Sequence, residues 1–184
     1  MTLATAITFL RIIMVPVFMA LLLVEMPYGS FFAAVVFTLA AATDGLDGYI
    51  ARSRNEVTKL GIMIDPLADK LLVSSALVSL VQLGRISAWI AMLIIGREFA
   101  VTALRAMAAS SGVMVPASIW GKVKTFAQIV AVVASIIKIP GDLFLMWAAV
   151  FLTIWSGLDY FLKVPEMIRQ QSGAGPNPEP GSRS

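Results

Sequence analysis

The sequence contains neither cysteine nor histidine, and the two absences narrow its chemistry. Without cysteine the chain has no disulfide, thiolate metal site, iron–sulfur cluster or cysteine nucleophile. Without histidine it has no Ser-His-Asp catalysis, no histidine proton relay and almost no route to a zinc enzyme. Any bound metal must therefore sit on oxygen ligands, which favours hard divalent cations such as Mg²⁺, Mn²⁺ or Ca²⁺.

Charged residues are scarce as well. Only 14% of the 184 residues are charged and 59% are hydrophobic, whereas soluble domains have about 25% charged and about 45–50% apolar residues. A soluble domain of this size cannot hide so much apolar surface, which excludes ordinary globular and disordered classes. The composition predicts a polytopic membrane protein. The net charge of +3 suits a protein that faces anionic lipid, and no nucleic-acid partner is expected.

Long apolar runs divide the chain into helices. A bilayer core needs about 20 mostly apolar residues per helix, and turn signals such as Pro140-Gly141 separate the runs. We expect an all-α polytopic membrane protein with six transmembrane helices in a domain over residues 1–169. The Gly/Pro/Ser/Gln-rich residues 170–184 are predicted to form a disordered tail. The six windows are about 8–24, 29–50, 62–83, 86–106, 120–139 and 143–163.

The basic residues predict how these helices are oriented. Along a six-helix path, ten of the 14 Lys and Arg residues fall on one side of the membrane, and only Arg85 and Lys138 mark the other side. Short loops rich in Lys and Arg remain cytoplasmic. We therefore expect a multi-pass protein of the cytoplasmic membrane with both termini in the cytoplasm. The ten are Arg11, Arg52, Arg54, Lys59, Arg105, Lys122, Lys124, Lys163, Arg169 and Arg183.

Four aspartates lie within or at the ends of the second and third spans. A carboxylate at a helix centre costs about 2.5–3.5 kcal/mol on insertion scales, so such residues usually line a site or a water-filled cavity. Asp44 and Asp47 are three residues apart, and Asp65 and Asp69 are four apart, so each pair projects from one helical face. Two opposed faces would gather four negative charges at low dielectric, which requires cations. The simplest arrangement is one or two divalent metals held by carboxylate oxygens.

Small residues continue the stripe that Asp44 begins. Gly48 and Ala51 follow it by four and seven residues, and the stripe ends at Arg52. Close helix packing is a common reason for such a stripe in membranes. Here the stripe also faces the predicted metals and leads to an arginine, whose planar fork suits phosphate. These features together predict a diphosphate site at the cytoplasmic membrane surface.

The same residues resemble a known family signature. The run Asp44-Gly-Leu-Asp47-Gly48-Tyr-Ile-Ala51-Arg52, followed by Gly61, Asp65 and Asp69, is similar to the CDP-alcohol phosphotransferase signature DxxDGxxAR…GxxxDxxxD at every fixed position. Residues 7–11, 95–99 and 120–125 resemble the phosphatidylglycerophosphate synthase branch of this family. One departure is Thr5, where that branch often has Asn.

The resemblance implies a six-helix homodimer that transfers a phosphatidyl group from a CDP-linked donor to an alcohol. The branch implies CDP-diacylglycerol as donor and sn-glycerol 3-phosphate as acceptor, with phosphatidylglycerophosphate and CMP as products, in phospholipid biosynthesis. Asp44, Asp47, Asp65 and Asp69 would carry two divalent cations, Mg²⁺ or Mn²⁺. Asp69 matches the general base. The donor-binding positions that the resemblance implies are Asp44, Gly48, Ala51, Arg52, Thr58 and Thr8.

The acceptor site is predicted more loosely, from charge. A dianionic phosphate needs cations beyond the metals. Arg97 and Arg105 lie within about 80° of one helical face. Lys122 and Lys124 are equally explained by positive-inside topology or contact with lipid headgroups. The alternative for Arg97 is an ion pair with Glu98 or with an aspartate, although the adjacent helical residues Arg97 and Glu98 point about 100° apart. The acceptor-phosphate candidates are Arg97, Arg105, Lys122, Lys124 and Arg11.

Three other functions compete with this interpretation. A cardiolipin synthase of the same fold would use phosphatidylglycerol as acceptor, and would need less concentrated positive charge. A membrane prenyltransferase also uses Asp-rich motifs and Mg²⁺. This chain has a single Asp-rich unit, however, and a prenyltransferase function would leave Gly48, Ala51 and Arg52 unexplained. A divalent-cation transporter would use the four aspartates as its ion site. That class typically has two related halves, and no internal repeat is visible here.

Overall fold

The computed structural model describes residues 3–24, 26–54, 59–112 and 119–173. The surroundings of individual side chains are described for residues 7–24, 26–43, 68, 70–112, 119–165 and 167. Over the described backbone the chain is all-helical, which confirms the predicted all-α class. Each predicted apolar window overlaps one helix, and their ends agree to within about five residues, except that the last helix continues to Gly173, past the window and into the first residues of the predicted tail. The six helices are α1 (Leu3–Leu23), α2 (Gly29–Arg54), α3 (Lys59–Gln82), α4 (Ala88–Ser110), α5 (Ile119–Ile137) and α6 (Asp142–Gly173).

Two of the connections between helices contain a glycine with a left-handed backbone conformation. Gly84 follows α3 at φ 66°, and Gly141 precedes α6 at φ 89°, a backbone region that glycine enters without a steric penalty. Ser87 then begins α4 as its N-cap, because its hydroxyl accepts a hydrogen bond from the Trp89 backbone nitrogen at 3.3 Å. The turn signals in the sequence therefore mark real helix ends.

The helices pack into one bundle. α1 lies against α2 and α3, α4 and α5 both lie against α6, and α2 also contacts α5. Apolar residues from α1 to α6 form the main core, where the rings of Phe18 and Phe37 pack at a tilt with centroids 5.6 Å apart. Many large apolar side chains remain on the outside, among them Phe144 at 77% exposure and Trp89 at 70%. An exterior this apolar suits contact with lipid rather than water.

Two helical segments among the described residues are long and apolar enough to cross a membrane, Ile119–Ile137 and Asp142–Pro165. Shorter apolar stretches lie in α1, α2 and α3. Charge explains why α4 differs, since Arg97, Glu98 and Arg105 interrupt its apolar sequence. These features agree with a membrane protein, and the six spans and their orientation remain predictions.

An arginine ties three helices together before α4 begins. The Arg85 Nη1 atom donates hydrogen bonds to the backbone oxygens of Ile136 at 2.6 Å and Ser135 at 3.2 Å, near the end of α5. Its Nη2 atom donates to Ser30 Oγ, at the start of α2, at 3.3 Å. The charge of Arg85 thus caps backbone carbonyls that the end of α5 leaves without helical partners.

Candidate active site

A cavity of about 480 Å³ lies mainly between α3, α4 and α5. Among the described side chains, its wall contains five basic residues and one acidic residue, so this part of the wall is positively charged. Such a volume is within the usual range for a small-molecule site. The charged residues are Lys70, Arg97, Arg105, Lys122, Lys124 and Glu98. The rest of the wall consists of Ala41, Leu72, Val73, Val101, Thr102, Gly121, Thr125, Phe126, Ile129 and Tyr160.

The cavity gathers four of the five predicted acceptor-phosphate residues. Arg97 and Arg105 come from one side of α4, with Val101 between them in steps of four residues. Lys122 and Lys124 come from the first turns of α5. Lys70 of α3 is a fifth cation, which the sequence analysis did not assign to this group. Its position among the apolar residues of a predicted span was the signal that could have identified it.

The inner part of the cavity holds an ion-pair cluster. Glu98 Oε1 accepts hydrogen bonds from Arg97 Nη1 at 3.3 Å and from Lys124 Nζ. The pairing of Arg97 with Glu98, which the angular argument disfavoured, is therefore present, because the arginine side chain is long enough to bend back to its neighbour. The side chains of Arg97, Glu98 and Lys124 are 11%, 19% and 6% exposed, so the three charges are largely shielded from solvent.

Helix α6 supports Arg97 from the other side. The Nη2 atom of Arg97 donates to Ser156 Oγ at 2.9 Å, and the Ser156 hydroxyl donates in turn to the Thr153 backbone oxygen at 3.1 Å. A Cβ atom added at Gly157 would lie 3.1 Å from Arg97 Nε and 3.2 Å from Arg97 Cγ. The missing side chain at Gly157 thus lets Arg97 lie directly on α6. The sequence analysis missed Ser156 and Gly157. The signal that could have identified them is that two small residues, one with a hydroxyl group, follow each other inside an apolar helix.

The outer part of the cavity is different. Arg105 and Lys122 are exposed. The ion pairs found within the described side chains involve Arg97, Lys124 and Lys163, and neither Arg105 nor Lys122 takes part in one. Both residues lie near helix ends, Arg105 toward the end of α4 and Lys122 at the start of α5. Two accessible positive charges at this edge make it the part of the cavity most open to an anion.

The four predicted metal ligands lie on the neighbouring helices. Asp44 and Asp47 belong to α2, and Asp65 and Asp69 belong to α3, so the predicted spacings fall on actual helices. Their side chains lie outside the described ones, as do Gly48, Ala51 and Arg52, and Thr58 lies outside the described residues altogether.

The chain nevertheless connects the cavity wall directly to these aspartates. Ala41, which lines the cavity, precedes Asp44 by three residues, about one helical turn, and Lys70 follows Asp69 immediately. A set of ligands made only of carboxylate oxygens is the kind that Mg²⁺ and Mn²⁺ prefer, so the residues fit such ions. The cationic cavity and the predicted metal site therefore share helices α2 and α3.

Two predicted residues of α1 are not part of the cavity wall. Thr8, predicted to bind the donor, and Arg11, predicted to bind the acceptor phosphate, are each 1% exposed. They belong to the helix that packs against α2 and α3. The structure does not bring Arg11 together with the other four acceptor candidates, and the roles of both residues remain predictions.

Comparison with known proteins shows which protein family the chain belongs to. Residues 1–155 match the CDP-alcohol phosphatidyltransferase family, so the chain belongs to that family and the resemblance in its signature is confirmed. The chain is 42% identical to the CDP-diacylglycerol–glycerol-3-phosphate 3-phosphatidyltransferase of Bacillus subtilis (strain 168), over 89% of this chain and 95% of the relative.

Two further relatives carry the same enzyme name. The Rickettsia bellii (strain RML369-C) protein is 39% identical over 84% of this chain and 90% of its own length. The Pseudomonas fluorescens protein is 40% identical over 87% of this chain and 88% of its own length. The prediction that this chain is a phosphatidyltransferase enzyme is therefore confirmed.

Proposed function

We propose that this protein transfers the phosphatidyl group of CDP-diacylglycerol to sn-glycerol 3-phosphate, giving phosphatidylglycerophosphate and CMP. The observation that carries the choice of acceptor is the cavity whose described side chains include five basic residues and one carboxylate. A small dianion needs concentrated positive charge, and a lipid acceptor with a single phosphodiester charge needs less. The names of the relatives support the same acceptor.

The acceptor enters from the open edge of the cavity in this proposal. Arg105 and Lys122 are exposed there and meet its phosphate first, since charge-assisted hydrogen bonds to phosphate are among the strongest available. Arg97 and Lys124 complete the positive wall farther in. Arg11 is buried on α1, which packs against α2 and α3, and its contact with the acceptor phosphate stays a prediction. The hydroxyl end of the acceptor then points toward the helices that carry the aspartates.

Two divalent cations, Mg²⁺ or Mn²⁺, are proposed to be held by Asp44, Asp47, Asp65 and Asp69. When bound, such ions neutralise charge that builds up on a diphosphate as its bond breaks. On the donor side we assign the nucleotide to residues of α1, α2 and the connection to α3. These are Thr8, Asp44, Gly48, Ala51, Arg52 and Thr58.

Asp69 is the proposed general base. The acceptor hydroxyl must lose its proton as it attacks the phosphatidyl phosphorus, and no histidine in the chain can take that proton. The new bond joins the acceptor oxygen to phosphorus, the bond from phosphorus to the CMP oxygen breaks, and CMP leaves with the electron pair. The proton moves to the Asp69 carboxylate. The step is a direct displacement without a phosphatidyl-enzyme intermediate.

We also propose that all six helices span the cytoplasmic membrane, with both termini and the active site on the cytoplasmic side, and that two copies pair as a homodimer. The asymmetric distribution of Lys and Arg supports the orientation. The apolar exterior of the bundle supports contact with lipid. A reporter fused at Gln170 should be active only in the cytoplasm, and a signal only from the periplasm would contradict this topology.

The decisive experiment is an assay of the purified protein with CDP-diacylglycerol, Mg²⁺ or Mn²⁺ and a panel of alcohols, with CMP release as the readout. Rapid release with sn-glycerol 3-phosphate alone is expected. Preferential use of phosphatidylglycerol would make the protein a cardiolipin synthase. Absence of CMP release with every alcohol, combined with uptake of divalent cations into vesicles, would favour the transporter.

A further inference from the structure

The shared carboxylate of Glu98 joins two helices across the cationic cavity. One oxygen atom, Oε1, accepts from both Arg97 of α4 and Lys124 of α5. A single acceptor atom shared by two donors keeps their nitrogen atoms close together, since neither can move away without losing its contact with that atom. Because Arg97 and Lys124 both line the cavity, Glu98 keeps two cations of its wall close together.

Neutralisation alone does not account for this arrangement. Among the described side chains of the wall there are five basic residues for one acidic residue, so Glu98 neutralises only a part of their charge. Arg97 also has a second, uncharged anchor, because its other terminal nitrogen donates to Ser156 Oγ at 2.9 Å. A neutral hydroxyl adds direction without removing charge. The two anchors together hold the plane of the guanidinium group.

Gly157 completes the support. The Arg97 side chain lies so close to α6 that a methyl group at position 157 would come within 3.1–3.2 Å of its Nε and Cγ atoms. Such a contact is tighter than ordinary van der Waals contact, so the arginine side chain would have to shift by a few tenths of an ångström. Three residues outside the predicted site therefore determine where one of its cations lies.

We propose that Glu98, Ser156 and Gly157 are positioning residues that preorganise Arg97 and Lys124 for the phosphate group of the acceptor. The proposal rests on the proposed function in one respect, since it takes the acceptor to be a phosphomonoester. Cations that are already fixed before binding lose little freedom when the anion arrives, which improves affinity without adding a contact. Glu98 and the two α6 residues act through the cations.

Glu98→Gln is the main variant. It keeps the size of the side chain and removes the charge that holds both cations. We expect the acceptor KM to rise roughly 10–150-fold, the scale of one lost charge-assisted hydrogen bond, while the KM for CDP-diacylglycerol is unchanged. A variant that merely lowers the fraction of folded protein would reduce the maximal rate and leave both KM values as they are.

Asp159→Asn is the matched control for the loss of a carboxylate. Asp159 pairs with the exposed Lys163 one turn along α6, outside the cavity wall. Both KM values should stay at those of the wild type. If Glu98→Gln behaves like this control, the positioning role is wrong.

Gly157→Ala tests the same idea without touching a charge. The added methyl group displaces Arg97, so the acceptor KM should rise about 3–10-fold, part of the effect of losing the contact. Gly96→Ala is the matched control, because a Cβ at Gly96 has no neighbour within 4 Å. An unchanged acceptor KM in Gly157→Ala, or equal effects of the two alanines, would overturn the proposal. This comparison also stands if Glu98→Gln fails to fold.

Binding of inorganic phosphate separates this proposal from the proposed function. Titration calorimetry on the detergent-solubilised protein should show weaker phosphate binding in Glu98→Gln by the same factor as the rise in acceptor KM. If the wild type does not use glycerol 3-phosphate but Glu98→Gln still weakens phosphate binding, the proposed function fails and the positioning role stands. Phosphate binding as tight as, or tighter than, that of the wild type would mean that Glu98 competes with the anion, and would overturn the positioning role.

Discussion

Two charged regions of this enzyme are built in different ways: the acidic half of the site, which is the four predicted metal-binding aspartates, and the basic half, which is the cationic cavity. The four aspartates lie on two consecutive helices, α2 and α3, between residues 44 and 69. The basic cavity is assembled from residues of five helices, from Ala41 of α2 to Tyr160 of α6. The first group follows from the period of a helix, and the second depends on which helices pack together.

The two regions therefore contribute differently to substrate binding in our proposal. Carboxylates at helical spacing gather charge of one sign and need cations, which makes the acidic half a metal and donor site in our proposal. The basic half contains its own carboxylate, Glu98, which orders two of its cations. In our proposal the four aspartates therefore need bound ions to complete their site, whereas two cations of the cavity are held by contacts within the protein.

The largest expected effect is in the acidic half. Asp44→Asn, Asp47→Asn or Asp65→Asn should each abolish transfer, because the site loses a ligand charge while the remaining carboxylates stay crowded. EDTA should silence the wild type, and Mg²⁺ or Mn²⁺ should restore CMP release. Full activity in the presence of chelator would remove the contrast between the halves and indicate a structural cluster of aspartates.

Asp69→Asn sharpens the distinction between a ligand and a base within the acidic half. Loss of a general base typically lowers the rate about 10²–10⁴-fold. The variant should still bind CDP-diacylglycerol in the presence of the metal, because three carboxylates remain. Donor binding and single-turnover CMP release measure the two properties separately. Loss of donor binding together with turnover would make Asp69 a metal ligand rather than the base.

Arg105→Ala probes the basic half at its open edge. The value of kcat/KM for glycerol 3-phosphate should fall roughly 10–150-fold, the scale of one charge-assisted contact of about 1.5–3 kcal/mol. The donor KM should be nearly unchanged, since the aspartate helices are intact. Arg105→Lys should recover only part of the loss, because a point charge cannot reproduce a bidentate fork. Unaltered acceptor kinetics in Arg105→Ala would show that the phosphate binds elsewhere.

Arg85→Ala gives the smallest expected effect on catalysis. Arg85 lies just before α4, and Arg105 lies near the other end of that helix. Arg85 donates its hydrogen bonds to backbone carbonyls of α5 and to Ser30. Its loss should lower the unfolding temperature by about 3–12 °C, from about 1.5–3 kcal/mol of contact energy. Both KM values at 25 °C should match the wild type. A selective rise in the acceptor KM would mean that the two ends of α4 are coupled.

Much of the fold could be predicted because helix length and turn chemistry are local properties. The apolar runs and the glycines at positions 84 and 141 mark the helices and their ends directly in the sequence. The spacing of the aspartates is local in the same way. These features need no knowledge of which helices are neighbours.

The cationic cavity could be predicted only in part. Charge alone grouped Arg11 with the other cations, yet Arg11 lies buried on α1 and does not line the cavity. The angle between adjacent helical residues argued against an Arg97–Glu98 pair, but that argument neglected the length of the arginine side chain. Ser156 lies 59 residues from Arg97 along the chain, so only the packing of α4 on α6 reveals their contact.

The hydrogen bonds of Arg85 also imply an order in which the bundle is completed. A chain is synthesised from its N-terminus, so Ser30 and Arg85 are made long before Ser135 and Ile136. The two strongest acceptors for this guanidinium, the carbonyls at the end of α5, do not exist until α5 has formed. Of these three hydrogen-bond partners, only Ser30 has been made before α5 is synthesised. The hydrogen bonds by which Arg85 joins the start of α2 to the end of α5 therefore form late in biogenesis. They can form only after α5 has packed into the bundle.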